Sequence, residues 1–196
     1  MRGKYEEKVE IPSIEQTETE RKRIRRGKYY RNALRGTVNV LLVVAAVAVL
    51  VATLFLPILQ VSGTSMEPTF KDGDIIVLFK SSRFETGELI AFHHSGKILI
   101  KRVIGVPGDY ITIDKEGTVF DNGKKLDEPY VTDKSLGDCA VEFPYQVPES
   151  SVFVLGDHRS VSVDSRSTEI GPVKYDEIIG KIKLKVWPLS DFEFID

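Results

Sequence analysis

The sequence predicts a mostly β protein, in which a single N-terminal transmembrane helix is followed by an antiparallel β-barrel or sandwich that folds over on itself. Two observations lead to this prediction. Residues 36–66 contain no charged side chain, and the residues after position 60 alternate short apolar runs with turn sequences. The first pattern is typical of a membrane span and the second of a β domain with one core.

The apolar segment is long enough to cross a bilayer. Its core, residues 37–59, reads TVNVLLVVAAVAVLVATLFLPIL. As a helix it extends for roughly 35 Å at 1.5 Å per residue, against a hydrocarbon core of about 30 Å. A buried core helix of this length normally carries a polar stripe, and a cleavable signal peptide has a shorter leader and a shorter apolar region. We therefore predict a transmembrane helix at residues 36–59.

The charge distribution predicts the orientation of this helix. Residues 1–35 contain eleven Lys or Arg and six Asp or Glu, a net charge of +5, and the next basic residue is Lys71. Basic flanks stay on the cytoplasmic side of the cytoplasmic membrane. We therefore predict a basic cytoplasmic tail at residues 1–35, mobile up to the membrane, and an extracytoplasmic domain at residues 60–196. Because topology explains the basic cluster, we expect no nucleic acid as a partner.

Strand signals continue through the external segment. Runs rich in β-branched and aromatic residues, each bounded by turn residues, predict strands at residues 75–79, 88–92, 97–106, 110–113, 151–156 and 181–187. The Asn122-Gly123 step predicts a tight hairpin. Lys181, Lys183 and Lys185 alternate with apolar residues, which predicts a half-exposed strand. Residues 127–150 are irregular and contain Pro, so we predict a long loop there and assign it no role.

The common hydrolase and metal motifs do not occur in the sequence. It has no G-x-S-x-G elbow, no H-E-x-x-H helix, no phosphate-binding loop and no paired Cys or His with metal-ligand spacing. His93 and His94 are adjacent and would point to opposite faces of a strand. The single Cys139 cannot form an internal disulfide. We predict no metal and no organic cofactor.

Two segments pair a possible nucleophile with a possible base. Residues 61–69, VSGTSMEPT, form a sharp turn that can expose the hydroxyl of Ser65, but a serine hydroxyl needs a base. On the predicted strand at residues 97–106, Lys101 shares a face with Leu99 and Val103. Apolar neighbours disfavour a charged lysine, and a neutral amine can accept the serine proton near neutral pH. From pattern alone, an exposed lysine lying along the strand is the commoner interpretation.

A third segment, residues 156–166, is dense in charge. It reads GDHRSVSVDSR, with two acids and two arginines within eleven residues. That composition predicts a loop held by internal ion pairs, some of them bidentate, whose small hydroxyls can orient an amine. A solvated surface loop explains the composition equally well.

Together these segments resemble a known family. SGTSMEPTF, GDIIVL, IKRVIGVPGD and GDHRSVSVDSR occur in the order of the signature boxes of bacterial type I signal peptidases, and the resemblance runs from about Val61 to Leu189. A single anchor and a compact external domain are similar to the Gram-positive form. The resemblance implies a mostly antiparallel β fold and a serine–lysine dyad that cleaves signal peptides from exported preproteins at the outer face of the cytoplasmic membrane.

The resemblance also implies roles for individual residues. It makes Ser65 the nucleophile, with its backbone N–H donating to the oxyanion, and Lys101 the general base. It makes Ser162 the hydroxyl that hydrogen-bonds the lysine amine. It makes the charged residues Asp157, Arg159, Asp164 and Arg166 a network that supports the dyad, and it makes Met66 and Pro68 residues that shape the site beside the nucleophile.

Two positions depart from the family pattern. Gly63 stands where Gram-negative members have a serine that completes the oxyanion hole, so the second oxyanion donor is not identified. His158 stands where asparagine is common.

The implied partners are signal-peptide-bearing preproteins and the lipid bilayer. Small substrate side chains would occupy shallow apolar pockets near residues 75–77 and 99–103, with the extended substrate paired to a strand edge. Two alternatives stay open: a specialised relative that processes pilus, conjugation or spore proteins, and an inactive membrane-tethered paralogue that only binds preproteins. The oligomeric state is equally open.

Overall fold

The computed structural model describes residues 13–195. The chain divides into two units, residues 1–52 and residues 53–196, and each is described by itself. Apart from Ser13, the described residues of the first unit lie in helix α1, Ile14–Phe55. Within α1, the stretch Thr17–Leu50 contains a segment long and apolar enough to cross a membrane. Val40, Leu41, Leu42 and Val43 are each 62–63% exposed.

Both ends of α1 differ from the predicted transmembrane segment. The helix begins at Ile14, inside the segment predicted to be a mobile tail. Residues 14–35 are rich in good helix formers. They extend a helix already nucleated in the apolar segment, so they avoid the free-energy cost of nucleation. It ends at Phe55 rather than at residue 59, because the residue before Pro57 is pushed away from helical dihedrals. Residues 1–12 of the predicted tail lie outside the described residues.

The second unit consists of short antiparallel strands. In chain order these are β1 (Ile58–Gln60), β2 (Ile75–Phe79), β3 (Leu89–His94), β4 (Lys97–Gly105), β5 (Tyr110–Ile113), β6 (Val119–Asp121), β7 (Lys124–Lys125), β8 (Tyr145–Gln146), β9 (Ser151–Leu155), β10 (Val173–Lys174), β11 (Ile178–Trp187) and β12 (Glu193–Phe194). Two 3-10 turns, Tyr175–Glu177 and Leu189–Asp191, flank β11.

The strands form two sheets. The larger has the order β1-β2-β11-β3-β4-β9-β10, with β12 also paired to β11, and the smaller has the order β7-β6-β5-β8. All strand pairs in the described chain are antiparallel. The predicted mostly β class with one N-terminal helix is therefore confirmed, although the larger sheet stays open and does not close into a barrel. The six predicted strands and the hairpin at Asn122-Gly123 are confirmed as well.

Strand β4 lies where the core clusters meet. Leu99 and Val103 pack into a cluster with Phe92 and Val154, whereas the alternate residue Ile100 packs against a separate cluster that contains Met66 and Phe70. Because alternate residues of a strand point to opposite faces, both faces of β4 are covered. A polar side chain in the middle of this strand is therefore buried.

Three predictions for the second unit need correction. Ile58 and Leu59 lie in β1, paired with Val77 and Ile76, and not in helix α1. Lys185 is buried rather than exposed, because register shifts in the pairing of β11 with β2 interrupt the alternation. The loop at residues 127–150 contains strand β8, which pairs with β5.

Candidate active site

Ser65 lies on the turn between β1 and β2, and this turn is fixed on both sides. Gly63 has φ of +90°, a conformation that favours glycine, and its N–H donates to Asp72 Oδ1 at 2.8 Å. Behind the serine, Met66 and Phe70 are buried in the core, and the Phe70 N–H donates to the Met66 carbonyl at 2.9 Å. The core thus fixes the backbone that presents the Ser65 hydroxyl.

Lys101 approaches Ser65 from the middle of β4. Its side chain is buried, with 3% of the residue exposed, and a hydrogen bond of 2.9 Å joins its Nζ to Ser65 Oγ. Lysine is almost never buried to this extent unless it has a partner. The structure therefore brings together the two residues that the sequence singled out as nucleophile and base.

The surroundings of the amine disfavour its charge. Burial lowers the pKa of Lys101 from 10.5 to about 8, because a desolvated ammonium is less stable than a neutral amine. The carboxylates of Asp164 and Asp157 act in the opposite direction and raise this pKa, while the Arg166 guanidinium lowers it. The net result is an amine that loses its proton around pH 8, well below the pH at which a free lysine does so.

The loop at residues 156–166 packs directly against the nucleophile. The backbone N–H of His158 donates to the Ser65 carbonyl at 3.1 Å. A side chain on Gly156 would collide with the Ser162 hydroxyl and with the Ser65 carbonyl oxygen. Glycine is therefore required at this position for the loop to approach the serine.

The predicted hydrogen bond between Ser162 and Lys101 is not present in the structure. Ser162 Oγ is buried and has no hydrogen-bond partner among the described residues. The hydroxyl lies against the Gly156 backbone, where it finds neither a donor nor an acceptor. Ser162 is thus close to the nucleophile, but the structure does not join it to the amine.

The four charged residues singled out in this loop are all buried and paired, but only one pair is internal to the loop. Arg166 contacts both carboxylate oxygens of Asp164, each at 2.8 Å. Asp157 instead accepts from Arg102 Nε and Nη2 at 2.8 and 2.7 Å, and Arg159 Nη2 donates to Glu128 Oε1 at 2.5 Å. The expectation of a loop held by internal ion pairs is therefore half right.

Sequence reasoning missed the external partners of these charges. Arg102 is the neighbour of Lys101 and points to the opposite face, where it pairs with Asp157 and stacks on the Tyr130 ring at 3.7 Å from the centroid. Thr69 Oγ1 adds a hydrogen bond of 2.5 Å to Asp157 Oδ2. The pairing of Arg102 could have been expected from the sequence, because an arginine on a strand with both faces covered needs a carboxylate. No sequence pattern indicates that Glu128 and Tyr130 take part, since both lie in the irregular loop.

A cleft runs past the Ser65–Lys101 pair. It encloses about 310 Å³ and is lined mainly by residues 59–63 on one side and 98–101 on the other. Strand β9 pairs with β4 only at Arg102, Val103 and Gly105. In the described structure, residues 97–101 therefore have one strand edge without a partner. Of the residues predicted to line a substrate pocket, residues 99–101 line this cleft, whereas residues 75–77 and 102–103 do not. Ile76 and Val77 are buried in the sheet.

The chain is similar to known signal peptidases. Residues 34–187 match the family model described as signal peptidase, peptidase S26. Signal peptidase IB of Staphylococcus aureus strain MRSA252 is 38% identical over 154 residues, which cover 68% of this chain and 79% of that protein. Signal peptidase I of Bacillus caldolyticus is 38% identical over 151 residues, covering 68% and 81%. A crystal structure of a signal peptidase I from Enterococcus faecalis V583 is 30% identical, has a TM-score of 0.42, and covers 50% of this chain and 96% of that one.

The family match and the similar signal peptidases identify this chain as a serine endopeptidase. The matched family model spans most of the chain, including both residues. This chain belongs to the signal peptidase family, peptidase S26. The family resemblance found in the sequence is thereby confirmed.

Proposed function

We propose that Ser65 and Lys101 perform the peptide-bond cleavage of this signal peptidase and that its substrates are the signal peptides of exported preproteins. The hydrogen bond of 2.9 Å between Ser65 Oγ and the buried Lys101 Nζ carries this proposal. It combines the two requirements of a serine nucleophile, a base within hydrogen-bond reach and a base that is neutral near the working pH.

The proposed reaction begins with transfer of the Ser65 hydroxyl proton to the neutral Lys101 amine. Ser65 Oγ attacks the carbonyl carbon of the scissile bond, and the carbonyl oxygen becomes an oxyanion that accepts from the Ser65 backbone N–H. The C–N bond then breaks as the Lys101 ammonium returns the proton to the leaving amine. Lys101 next removes a proton from water, whose oxygen attacks the ester carbon. The bond between this carbon and Ser65 Oγ breaks, the Lys101 ammonium returns the proton to Ser65 Oγ, and the product leaves as a carboxylic acid. These steps use groups of the chain and water.

The supporting residues keep this pair in place. Asp157, Arg159, Asp164 and Arg166 are each 0–1% exposed and ion-paired, so they anchor the loop that packs on the Ser65 carbonyl. Their second contribution is electrostatic, since Asp157 and Asp164 limit how far burial lowers the Lys101 pKa. Met66 holds the nucleophile's turn in the core, and Pro68 stiffens the same turn.

The cleft supports an extended peptide as substrate. The unpaired edge of residues 97–101 presents backbone N–H and C=O groups to a chain lying in the cleft, which is the geometry of strand addition. Leu59, Val61, Leu99 and Ile100 give the cleft apolar walls, which suit the small residues before a signal-peptide cleavage site. Backbone pairing with few side-chain contacts explains how one site accepts many preproteins.

The proposed location is the cytoplasmic membrane, crossed once by the apolar part of α1. The first 35 residues form the basic cytoplasmic tail, the span begins near residue 36 and ends with the helix at Phe55, and the catalytic domain follows on the outer side. The uncharged residues 36–66 and the net charge of +5 before them support this orientation. The lipid bilayer is thus a permanent partner of the chain, and no nucleic acid is involved.

Paired substitutions in the full chain test the proposed chemistry. Ser65→Ala and Lys101→Ala should each abolish cleavage of a signal-peptide substrate by the detergent-solubilised protein. Ser82→Ala and Lys115→Ala, which alter exposed residues of the same types, should retain it. Activity of either dyad variant at the parent's level would disprove the proposed mechanism. Efficient cleavage of only one narrow class, such as pilus or spore precursors, would identify a specialised relative instead.

A further inference from the structure

His158 makes two contacts with the backbone around the nucleophile. Its own N–H donates to the Ser65 carbonyl at 3.1 Å, and its ring Nδ1 lies 3.3 Å from the Thr64 carbonyl oxygen. A carbonyl oxygen can only accept, so the hydrogen bond requires a proton on Nδ1. The half-buried His158 therefore contacts two consecutive peptide groups of the serine turn.

The Thr64 carbonyl has a special position in the proposed mechanism. It belongs to the same planar peptide unit as the Ser65 N–H, and that N–H is the proposed oxyanion donor. Fixing the carbonyl therefore fixes the direction of the N–H on the other side of the unit. A donor on the carbonyl also polarises the peptide and makes its N–H a stronger donor, since hydrogen bonds in a chain reinforce one another.

We propose that the His158 ring is a positioning residue for oxyanion stabilisation: its Nδ1–H holds the Thr64–Ser65 peptide so that the Ser65 N–H points at the reacting carbonyl oxygen. This inference rests on the proposed function, because it assumes that Ser65 is the nucleophile. The turn contributes a second restraint on the same oxygen, since the Glu67 N–H donates to it at 3.1 Å. The ring's contribution is therefore to strengthen an alignment that the turn already favours.

A positioning role predicts a particular kinetic signature. The oxyanion exists only during the reaction, so an interaction that supports it acts on kcat and not on substrate binding. His158→Ala removes the ring donor and leaves the backbone N–H contact with Ser65 intact. We expect kcat to fall about fivefold to tenfold, as for the loss of one ordinary hydrogen bond, with KM changed less than about twofold.

Two amide substitutions separate the two ring nitrogens. The side-chain amide nitrogen of asparagine reaches about the position of Nδ1, whereas that of glutamine reaches about the position of Nε2. His158→Asn should therefore restore most of the kcat lost in His158→Ala, and His158→Gln should not. Ser160→Ala, an exposed residue of the same loop, controls for general disturbance and should match the parent. All variants are measured as full chains in detergent with one signal-peptide substrate.

Each outcome of this experiment decides something. If Ser65→Ala is inactive while His158→Ala keeps the parent's kcat, the inference fails and the proposed function stands. If Ser65→Ala is itself active, the proposed function fails and the inference fails with it. Equal rescue by asparagine and glutamine, or a rise in KM at constant kcat, would also overturn the positioning role. Should His158→Ala not fold, as judged by thermal unfolding, the comparison of asparagine with glutamine decides alone.

Discussion

Acidification should inactivate this protein in a pH range set by the burial of Lys101. Only the neutral amine can accept the Ser65 proton, and burial lowers the Lys101 pKa from 10.5 to about 8. Because the amine is the base, activity is present above this pKa and is lost as the pH falls through it. With one ionisation, about half the enzyme is active at pH 8, about a tenth at pH 7 and about a hundredth at pH 6.

The measurement is kcat/KM between pH 5.5 and 10.5, since this ratio reports ionisations of the free enzyme. It uses the full chain in detergent and a peptide substrate without ionising groups near the cleavage site. We expect a plateau above about pH 9 and a fall of roughly 50-fold from pH 8 to pH 6. A lysine with an unshifted pKa would instead give rates that keep rising about tenfold per unit up to pH 10. That profile would refute the assignment of a desolvated Lys101 as base.

Three further predictions concern stability and close packing. The parent's unfolding free energy should rise by about 3 kcal/mol in total between pH 8 and 10.5, because Lys101 still binds a proton there in the unfolded chain but not in the folded one. Lys101→Met should lack this rise. Urea unfolding followed by the fluorescence of the single Trp187 checks both. Arg102→Met should cost about 3–5 kcal/mol in the same assay because it leaves the fully buried Asp157 uncompensated; a loss below 1 kcal/mol would contradict the buried pair. Gly156→Ala should abolish cleavage because its methyl group collides with Ser162 and the Ser65 carbonyl, whereas Gly27→Ala, with open space around it, should cleave normally.

Local pattern predicts the strands and supplies Ser65 and Lys101 as candidates for nucleophile and base. The apolar neighbours of Lys101 on β4 are visible in the sequence, and in the structure both faces of this strand are covered. Burial of the amine follows from that coverage. The 2.9 Å contact with Ser65 does not follow from pattern, since it joins residues 36 positions apart. For this contact the family resemblance added what local chemistry lacked.

The partners of the buried charges could not be read from spacing. Asp157 pairs with Arg102, 55 residues away, and Arg159 pairs with Glu128, 31 residues away. Which cation meets which carboxylate depends on the packing of a loop against two strands, and composition only shows that some pairing is needed. The burial of Lys185 could not be predicted from the sequence either, because an alternating pattern does not show where a bulge changes a strand's register.

The most direct test is an NMR titration of the Lys101 amine itself. The full chain is labelled at the lysine side chains, and the Lys101 signal is assigned by its loss in Lys101→Met. We predict that this one amine titrates near pH 8, well below the value of about 10.4 for a free lysine in water. A Lys101 midpoint close to the free-lysine value would show that the amine stays charged up to that pH, and it would contradict the claim that Lys101 activates Ser65.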